Sequence, residues 1–347
     1  MRRSRRASEA ASIRVRLYTH AAMIAALVII VVLLAVALVA TRARWRPAPA
    51  EPSVEPPAPR ESIEAMDTID AIDAIDSAAA PIGPLEGVVV IPGPVPRGAP
   101  LPVVLVHGLF GFDRIGVPGA RFDYFRGIAK HLRGLGCVAH AVKLSPAASV
   151  PERAKELCAA IAALSHERVD LIAHSLGGLD ARYALSKLGL DARVRSLVTI
   201  GTPHRGSPIA DLGAVARARR IVKAIGIPLD ALEWLSTEGL ARFNADVLDS
   251  PNVRYGCVVG GIRLPTTPVP LPLVPAETYL RKVAGANDGL VPISSQYWGE
   301  TIAEIEADHF AQVGWRVSLR RTFDAAGLYA FIVARLGDAP IAAVATA

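Results

Sequence analysis

Ser175 lies in a sequence pattern that is typical of a serine nucleophile. Residues 169–178 read Val-Asp-Leu-Ile-Ala-His-Ser-Leu-Gly-Gly, an apolar run that leads directly into the serine. A sharp turn between a strand and a helix needs small residues two positions before and after the serine, and Ala173 and Gly177 stand there. The usual residue at the first of these positions is glycine, and alanine still fits. The pattern predicts a nucleophile elbow that continues into a helix over Leu176–Leu188.

A serine hydroxyl becomes a good nucleophile only when a base removes its proton and hydrogen-bond donors stabilise the oxyanion that forms. One such donor is the N–H of the residue after the nucleophile, Leu176. The second comes from the loop after an early strand. Here the apolar run Val103–Val106 leads into His-Gly-Leu-Phe-Gly at 107–111, whose glycines allow a tight turn. The sequence therefore predicts an oxyanion hole formed by the N–H groups of Leu109 and Leu176.

Three motifs together resemble a known family of enzymes. The loop at 107–111, the serine motif at 173–178 and the segment Gly-Thr-Pro-His-Arg-Gly-Ser at 201–207 are similar to those of the secreted triacylglycerol lipases of Gram-negative bacteria. These lipases have the α/β-hydrolase fold, and the similarity extends over roughly residues 85–336. The resemblance implies an ester hydrolase whose catalytic residues follow the chain order nucleophile, acid, histidine.

The resemblance also assigns the acid and the base. The segment Asn287–Val291 reads Asn-Asp-Gly-Leu-Val and matches the acid motif of the family, which makes Asp288 the acid. His309 follows a strand pattern at Thr301–Ile305 and precedes the last helices, where this fold places its base. The expected mechanism is proton removal from the serine by His309, with Asp288 fixing the tautomer of its imidazole.

Other histidines and acids compete for these roles. His204 lies in a turn rich in glycine and proline, and we expect it to be a structural hydrogen-bonding residue below the site. His107 and His174 belong to the backbone-shaping motifs and are candidate walls of the pocket. Asp308 precedes the base, but adjacent residues rarely present their side chains to each other in the geometry of a triad.

Two departures from the family limit what the resemblance implies. The family's calcium site uses an aspartate two residues after the catalytic histidine, and this chain has Ala311 there. The family's single disulfide spans the region between nucleophile and acid, where this chain has only Cys257. We therefore expect no cofactor and no metal, with calcium doubtful, and the sequence assigns no disulfide.

The apolar runs alternate between strand and helix patterns. This alternation predicts a mainly parallel sheet covered by helices on both faces. The predicted strands are Leu85–Ile91, Val103–Val106, Cys137–Lys143, Val169–Ala173 and Val194–Ile200, and the predicted helices are Arg121–Leu135, Pro151–Ser165 and the helix after the serine.

A helical cap is expected at about 208–250, between the nucleophile and the acid. Apolar residues fall on one helical face at Leu212, Val215, Val222 and Ile225. This helix is either a lid whose apolar face covers the pocket or an ordinary helix packed on the sheet. Residues Leu229–Val247 predict a second apolar helix.

The positive charge of the chain is confined to its N-terminus. The formal net charge is +6, but residues 1–46 hold nine arginines against Glu9, which leaves 29 basic and 31 acidic residues in the rest. A nucleic-acid-binding function therefore loses its main support. Residues 21–40 carry no charged side chain, and as a helix they would be roughly 30 Å long, enough to span a bilayer.

These features predict a membrane-anchored enzyme. Residues 1–20 would be a basic cytoplasmic tail and 21–40 an uncleaved signal anchor, with a cleaved signal peptide as the alternative. The excess of arginines before the span places the catalytic domain in the periplasm or outside the cell. Residues 41–84, rich in proline and acidic residues, predict a disordered stalk, 85–336 the catalytic domain and 337–347 a tail.

The sequence thus predicts a carboxylic ester hydrolase of lipase or esterase type, with a lipid or ester as its substrate. An acyltransferase or thioesterase with the same triad is the first alternative, since only the acceptor of the acyl group differs. A degenerate hydrolase domain that serves as a binding module is the second, and the complete set of Ser, Asp and His argues against it.

Overall fold

The computed structural model describes residues 88–90, 101–109, 114–117, 120–212, 230–264, 267, 269–315 and 323–336. The predicted cytoplasmic tail, signal anchor and stalk, the middle of the cap and the tail at 337–347 lie outside these residues. Among the described residues, no helix is long and apolar enough to cross a membrane.

Nine strands and seven α-helices are described. The strands are β1 (Val88–Val90), β2 (Val103–Val106), β3 (Arg114–Val117), β4 (Ala120–Asp123), β5 (Ala139–Ala141), β6 (Val169–His174), β7 (Val194–Ile200), β8 (Arg254–Gly261) and β9 (Glu300–Glu306). The helices are α1 (Ile128–Gly134), α2 (Val150–Ala162), α3 (Leu176–Lys187), α4 (Thr237–Asp246), α5 (Val274–Ala284), α6 (Ile293–Gln296) and α7 (Ala325–Arg335).

Seven of the strands form one sheet in the order β1-β9-β8-β7-β6-β2-β5. All neighbours are parallel except β1 and β9, which are antiparallel. Strand β5 pairs with one edge of β2, and β6, the next strand of this sheet along the chain, pairs with the opposite edge of β2. The direction in which strands are added therefore reverses at β2. Ligands of open parallel sheets bind at such a reversal, outside the carboxyl ends of the strands. The loops after β2 and β6 meet there.

Helices cover both faces of the sheet. Strand β2 is buried on both sides, which explains why all four of its residues are apolar. Val103 and Leu105 belong to the core cluster beneath α1 and α7. Val104 and Val106 belong to the cluster beneath α2 and α3 on the opposite face. Successive residues of a strand point to opposite faces, so a strand buried on both sides needs four apolar residues in a row.

The predicted helix at Arg121–Leu135 was wrong in its first half. Residues Ala120–Asp123 pair with Arg114–Val117 as an antiparallel hairpin, and the helix begins only at Ile128. Gly127 precedes it with φ of 74°, a left-handed conformation that stops the helix from extending towards the N-terminus. The spacing of apolar residues continued across this break, which is why the pattern suggested one long helix.

The predicted helix at Leu229–Val247 is divided in two. A 3-10 helix covers Asp230–Leu235, and α4 begins at Thr237. Between them the side chain of Ser236 accepts a hydrogen bond from the Gly239 N–H, as an N-cap residue does. All three cysteines of the chain lie in the described part, and none of them forms a disulfide.

Candidate active site

Ser175 lies at the sharp turn between β6 and α3. Its φ of 55° is the only positive φ of a non-glycine residue within the described ranges. Such a conformation costs about 1–3 kcal/mol and persists only where neighbouring contacts hold it. The Ser175 N–H donates to the Ile200 carbonyl at 2.9 Å, and the Thr202 hydroxyl donates to the Ser175 carbonyl at 2.8 Å. The end of β7 therefore holds the turn on both sides.

Glycines allow the neighbouring elements to approach the turn. A Cβ at position 177 would lie 2.6 Å from the Val106 carbonyl oxygen, and one at position 178 would lie 2.3 Å from the Thr202 hydroxyl oxygen. A Cβ at position 108 would lie 2.8 Å from the Cβ of Ser175. These glycines bring α3 and the loop after β2 into contact with the serine.

Ser175, His309 and Asp288 form a continuous hydrogen-bonded series. Nε2 of His309 lies 3.0 Å from Oγ of Ser175, and its Nδ1 lies 2.7 Å from Oδ2 of Asp288. Since the carboxylate accepts the Nδ1 proton, Nε2 is free to accept the serine proton. Asp288 is fully buried, and His309 is 5% exposed. The structure thus brings together the three residues that the sequence proposed as a triad.

The acid is held by the backbone of its own loop. Oδ1 of Asp288 accepts hydrogen bonds from the N–H groups of Leu290 at 3.0 Å and Val291 at 2.8 Å. Gln312 donates to Oδ2 at 3.0 Å, the same oxygen that binds His309. A buried carboxylate needs such donors because it has left water.

Asp308, the competing acid, is not the partner of either imidazole nitrogen of His309, which pair with Asp288 and Ser175. Its Oδ1 accepts hydrogen bonds from the N–H groups of Phe310 at 3.0 Å and Ala311 at 3.1 Å. Burial raises the pKa of this carboxyl above its usual value. The His309 N–H donates to the Asp288 carbonyl at 2.8 Å, which ties the histidine loop to the acid loop. Asp308 therefore shapes the loop that carries the base.

Two backbone N–H groups border the serine. Leu176 is the first residue of α3, where N–H groups have no partner within the helix and the helix dipole favours negative charge. Leu109 follows Gly108, whose carbonyl accepts from Nδ1 of His107 at 2.9 Å. Because a peptide is planar with its C=O and N–H on opposite sides, the Leu109 N–H points the other way. In the described part of the chain, neither N–H has a hydrogen-bond acceptor.

Comparison with known proteins agrees with this architecture. Residues 102–220 match the alpha/beta hydrolase fold family. The chain has the α/β-hydrolase fold. It is 29% identical over 274 residues to triacylglycerol lipase 2 of Saccharomyces cerevisiae, covering 63% of this chain and 82% of the yeast protein. It is also 29% identical over 263 residues to the triacylglycerol lipase of Vibrio cholerae, covering 64% of this chain and 82% of that one.

A solved structure gives the same result. The mature form of the Bacillus licheniformis lipase BlEst2 superposes with a TM-score of 0.52 and 25% sequence identity, covering 64% of this chain and 90% of that protein. The resemblance to triacylglycerol lipases that the three sequence motifs indicated is thereby confirmed.

Sequence reasoning missed Arg153, which lies beneath the oxyanion loop of this hydrolase. Its guanidinium donates to the carbonyls of His107 at 2.7 Å and Gly108 at 3.3 Å. It also pairs with Asp180 at 2.8 Å, and both side chains are fully buried. Arg153 is in α2 and Asp180 in α3, so two helices on one face of the sheet fix the direction of the loop peptides. A single arginine in an amphipathic helix gives no signal of this role.

The buried histidines have distinct positions. His107 accepts a hydrogen bond from the Leu144 N–H at 3.0 Å, and burial together with nearby Arg153 lowers its pKa to about 3. The imidazole is therefore neutral and supports the oxyanion loop. His204 is fully buried, stacks on Trp298 and lies 3.0 Å from the Thr199 hydroxyl. This agrees with its expected structural role.

The histidine loop lacks the carboxylate that the resemblance places two residues after the base. Calcium takes about six to eight oxygen ligands. Position 311 has no side-chain oxygen, and Oδ1 of Asp308 is already bonded to two backbone N–H groups. Within the part of the chain that is described, no group of three or more His, Cys, Asp or Glu side chains is placed to hold a metal ion.

Proposed function

We propose that this hydrolase cleaves carboxylic esters, with Ser175 as nucleophile, His309 as general base and acid, and Asp288 as the residue that orients the imidazole. The observation that carries the proposal is the hydrogen-bonded series from Ser175 through His309 to Asp288. Nucleophile, base and orienting acid lie within hydrogen-bond reach of one another, which is the requirement for an activated serine.

The geometry supports a two-step acyl transfer. As Oγ of Ser175 attacks the ester carbonyl, Nε2 of His309 takes its proton, and the N–H groups of Leu109 and Leu176 stabilise the negative oxygen. Collapse of the tetrahedral intermediate breaks the ester C–O bond, and the imidazolium gives its proton to the leaving alcohol. A water molecule then attacks the acyl-enzyme in the same way and releases the acid.

The apolar side chains beside the oxyanion hole suit an acyl group. Leu109 packs against a core cluster that includes Leu176, Leu179 and Leu240, which are fully buried. Leu109 and Trp234 lie against this cluster and are partly exposed. An acyl chain would be recognised by contact with such side chains rather than by hydrogen bonds.

Hydrolysis of p-nitrophenyl esters of graded acyl length tests the proposal. The full-length protein in detergent should release p-nitrophenol with kcat/KM rising from acetate to medium or long chains, and Ser175→Ala should remove this activity. No turnover of any ester by a folded protein would contradict the proposed function. Addition of glycerol or of an acyl thioester to the same assay separates hydrolysis from acyl transfer and thioester cleavage.

For the N-terminal region, we propose that residues 21–40 anchor the enzyme with its catalytic domain outside the cytoplasm. The support is the uncharged span and the arginines before it, because positively charged flanks remain in the cytoplasm. Alkaline phosphatase fused after residue 80 should be active in a bacterial host. A mature protein that begins near residue 41 would instead indicate secretion.

A further inference from the structure

Gln312 contacts Oδ2 of Asp288, whereas the backbone N–H groups of the acid loop contact Oδ1. The side chain is fully buried. Its Nε2 donates to Oδ2 of Asp288 at 3.0 Å, the oxygen that also accepts the His309 proton. Its Oε1 lies 3.2 Å from Nε2 of His174, whose Nδ1 lies 2.7 Å from the Tyr124 hydroxyl. A chain of three side chains therefore ends on the carboxylate of the acid.

The carboxylate of Asp288 sets the direction of the Gln312 amide. An ionised carboxylate only accepts hydrogen bonds, so the group that faces its Oδ2 is the amide nitrogen of Gln312. The amide oxygen then faces Nε2 of His174, and this nitrogen must carry a proton to donate to it. A neutral imidazole protonated at Nε2 accepts at Nδ1, where the Tyr124 hydroxyl lies at 2.7 Å.

The backbone around Gln312 leaves space for this amide and little more. A Cβ at position 201 would lie 2.2 Å from its Oε1, and one at position 260 would lie 2.2 Å from its Nε2. Gly201 has φ of 58° at the end of β7, and Gly260 lies in β8. The amide is therefore confined between two strand ends.

We propose that Gln312 is a positioning residue that holds Asp288, and through it the imidazole of His309, in the geometry for catalysis. His174 and Tyr124 continue this hydrogen-bonded chain away from the acid. This inference rests on the proposed function of Ser175, His309 and Asp288. Without the Gln312 donor, Oδ2 of Asp288 would keep a single partner, and the carboxylate and imidazole could rotate together away from the serine.

The substitution Gln312→Glu tests the proposal with almost no change in shape. The titratable groups that face His309 are Asp288, the ring of His174 at 4.6 Å between centroids, and Asp308. A second carboxyl beside Asp288 makes the cluster bind one more proton, because two like charges cannot both ionise cheaply at this distance. The pH profile of kcat/KM should gain an ionisation, and the NMR titration of His309 should extend to higher pH than in the parent.

The substitution Gln312→Met removes the donor while keeping the volume. We expect kcat to fall about ten- to hundredfold with KM changed less than twofold, since small displacements of catalytic groups cost up to about 100-fold. Gln296→Met is the matched control. Gln296 is equally buried and bonds to the backbone of Gly260 and Val291, but it touches no triad side chain. It should lose stability while keeping the pH profile of the parent, with a smaller fall in kcat than Gln312→Met.

Two results would overturn the inference. One is a Gln312→Glu protein whose kinetic profile and His309 titration both superimpose on those of the parent. The other is a Gln312→Met protein with the kcat of the parent. Because the NMR titration needs no turnover, it separates the two proposals: an inactive parent contradicts the ester hydrolase, whereas an unchanged His309 titration contradicts the role of Gln312.

Discussion

The two sides of the candidate site are built by different means. On the nucleophile side, defined as residues 106–109 and 175–178, backbone groups and glycines carry the geometry, and strand and helix ends fix them directly. On the acid–base side, defined as residues 287–291 and 308–312, loops carry the residues, and side-chain hydrogen bonds hold them. Asp288, Asp308 and Gln312 supply most of these bonds.

This difference indicates where each side is sensitive. A strained serine and a close helix tolerate no added atoms, because the neighbours are backbone oxygens that cannot move away. The acid–base loops have fewer steric limits, but they depend on each polar partner, since a lost donor leaves a buried charge unsatisfied. Steric substitutions should therefore break the first side, and polar substitutions the second.

The largest effect should come from removing the base. His309→Ala is expected to lower kcat by about 10⁶-fold, and Asp288→Asn by about 10⁴-fold, because the members of a triad act as a unit and the acid only orients the base. Steady-state ester hydrolysis measures both. Turnover of His309→Ala at the rate of the parent would reject the assignment of the base.

A steric test should break the nucleophile side. In Gly177→Ala the added Cβ would lie 2.6 Å from the Val106 carbonyl oxygen and 2.8 Å from that of His107, so α3 must shift. We expect the free energy of unfolding to fall by about 1–3 kcal/mol, as for other overpacked sites, and activity to fall with it. Urea denaturation measures the free energy of unfolding, and ester hydrolysis measures the activity.

Gly134→Ala is the control for this substitution, because a Cβ at the end of α1 would meet nothing within 4 Å. It should leave stability the same or slightly higher. If both variants lost the same free energy of unfolding, the close contact of Gly177 with the backbone would not be the cause of the loss.

A polar test addresses the acid–base side. Asp308→Ala removes the acceptor for the N–H groups of Phe310 and Ala311, and we expect a loss of about 1–3 kcal/mol in the free energy of unfolding. Asp308→Asn keeps an oxygen acceptor at the same place and should retain most of the stability. If both variants unfold like the parent, the histidine loop is held by other contacts.

The smallest effect should come from chelation. EDTA is expected to leave activity and Tm unchanged within error, since Ala311 has no side-chain oxygen where the family's calcium site uses an aspartate. Assays with EDTA alone and with EDTA plus excess calcium measure this. A large loss that calcium restores would mean that other oxygens complete a site.

The nucleophile side could be predicted from the sequence because its geometry is local. The serine motif, the strand before it and the glycine-containing helix after it follow one another along the chain, and β7 at Val194–Ile200 has the predicted bounds. Each of these signals needs only neighbouring residues. The nucleophile side lies at the carboxyl ends of β2 and β6, where the order of strands in the sheet reverses.

The supports of the acid–base side could not be predicted in the same way. The resemblance indicated Asp288 and His309, but Gln312 and His174 meet across 138 positions of the chain. Val313 is buried and Trp315 donates to the Tyr124 carbonyl at 2.8 Å, yet the direct contacts to the acid come from hydrogen bonds. No local pattern carries such long-range polar contacts.

The most direct test of the central claim is covalent labelling of the nucleophile. A fluorophosphonate probe reacts with a serine only when a base and an oxyanion hole activate it. Incubated with the full-length protein and followed by peptide mass spectrometry, it should give one adduct, on Ser175, and Ser175→Ala should give none while showing the circular dichroism spectrum of the parent. An adduct on another serine, or no adduct on a folded parent protein, would contradict the account.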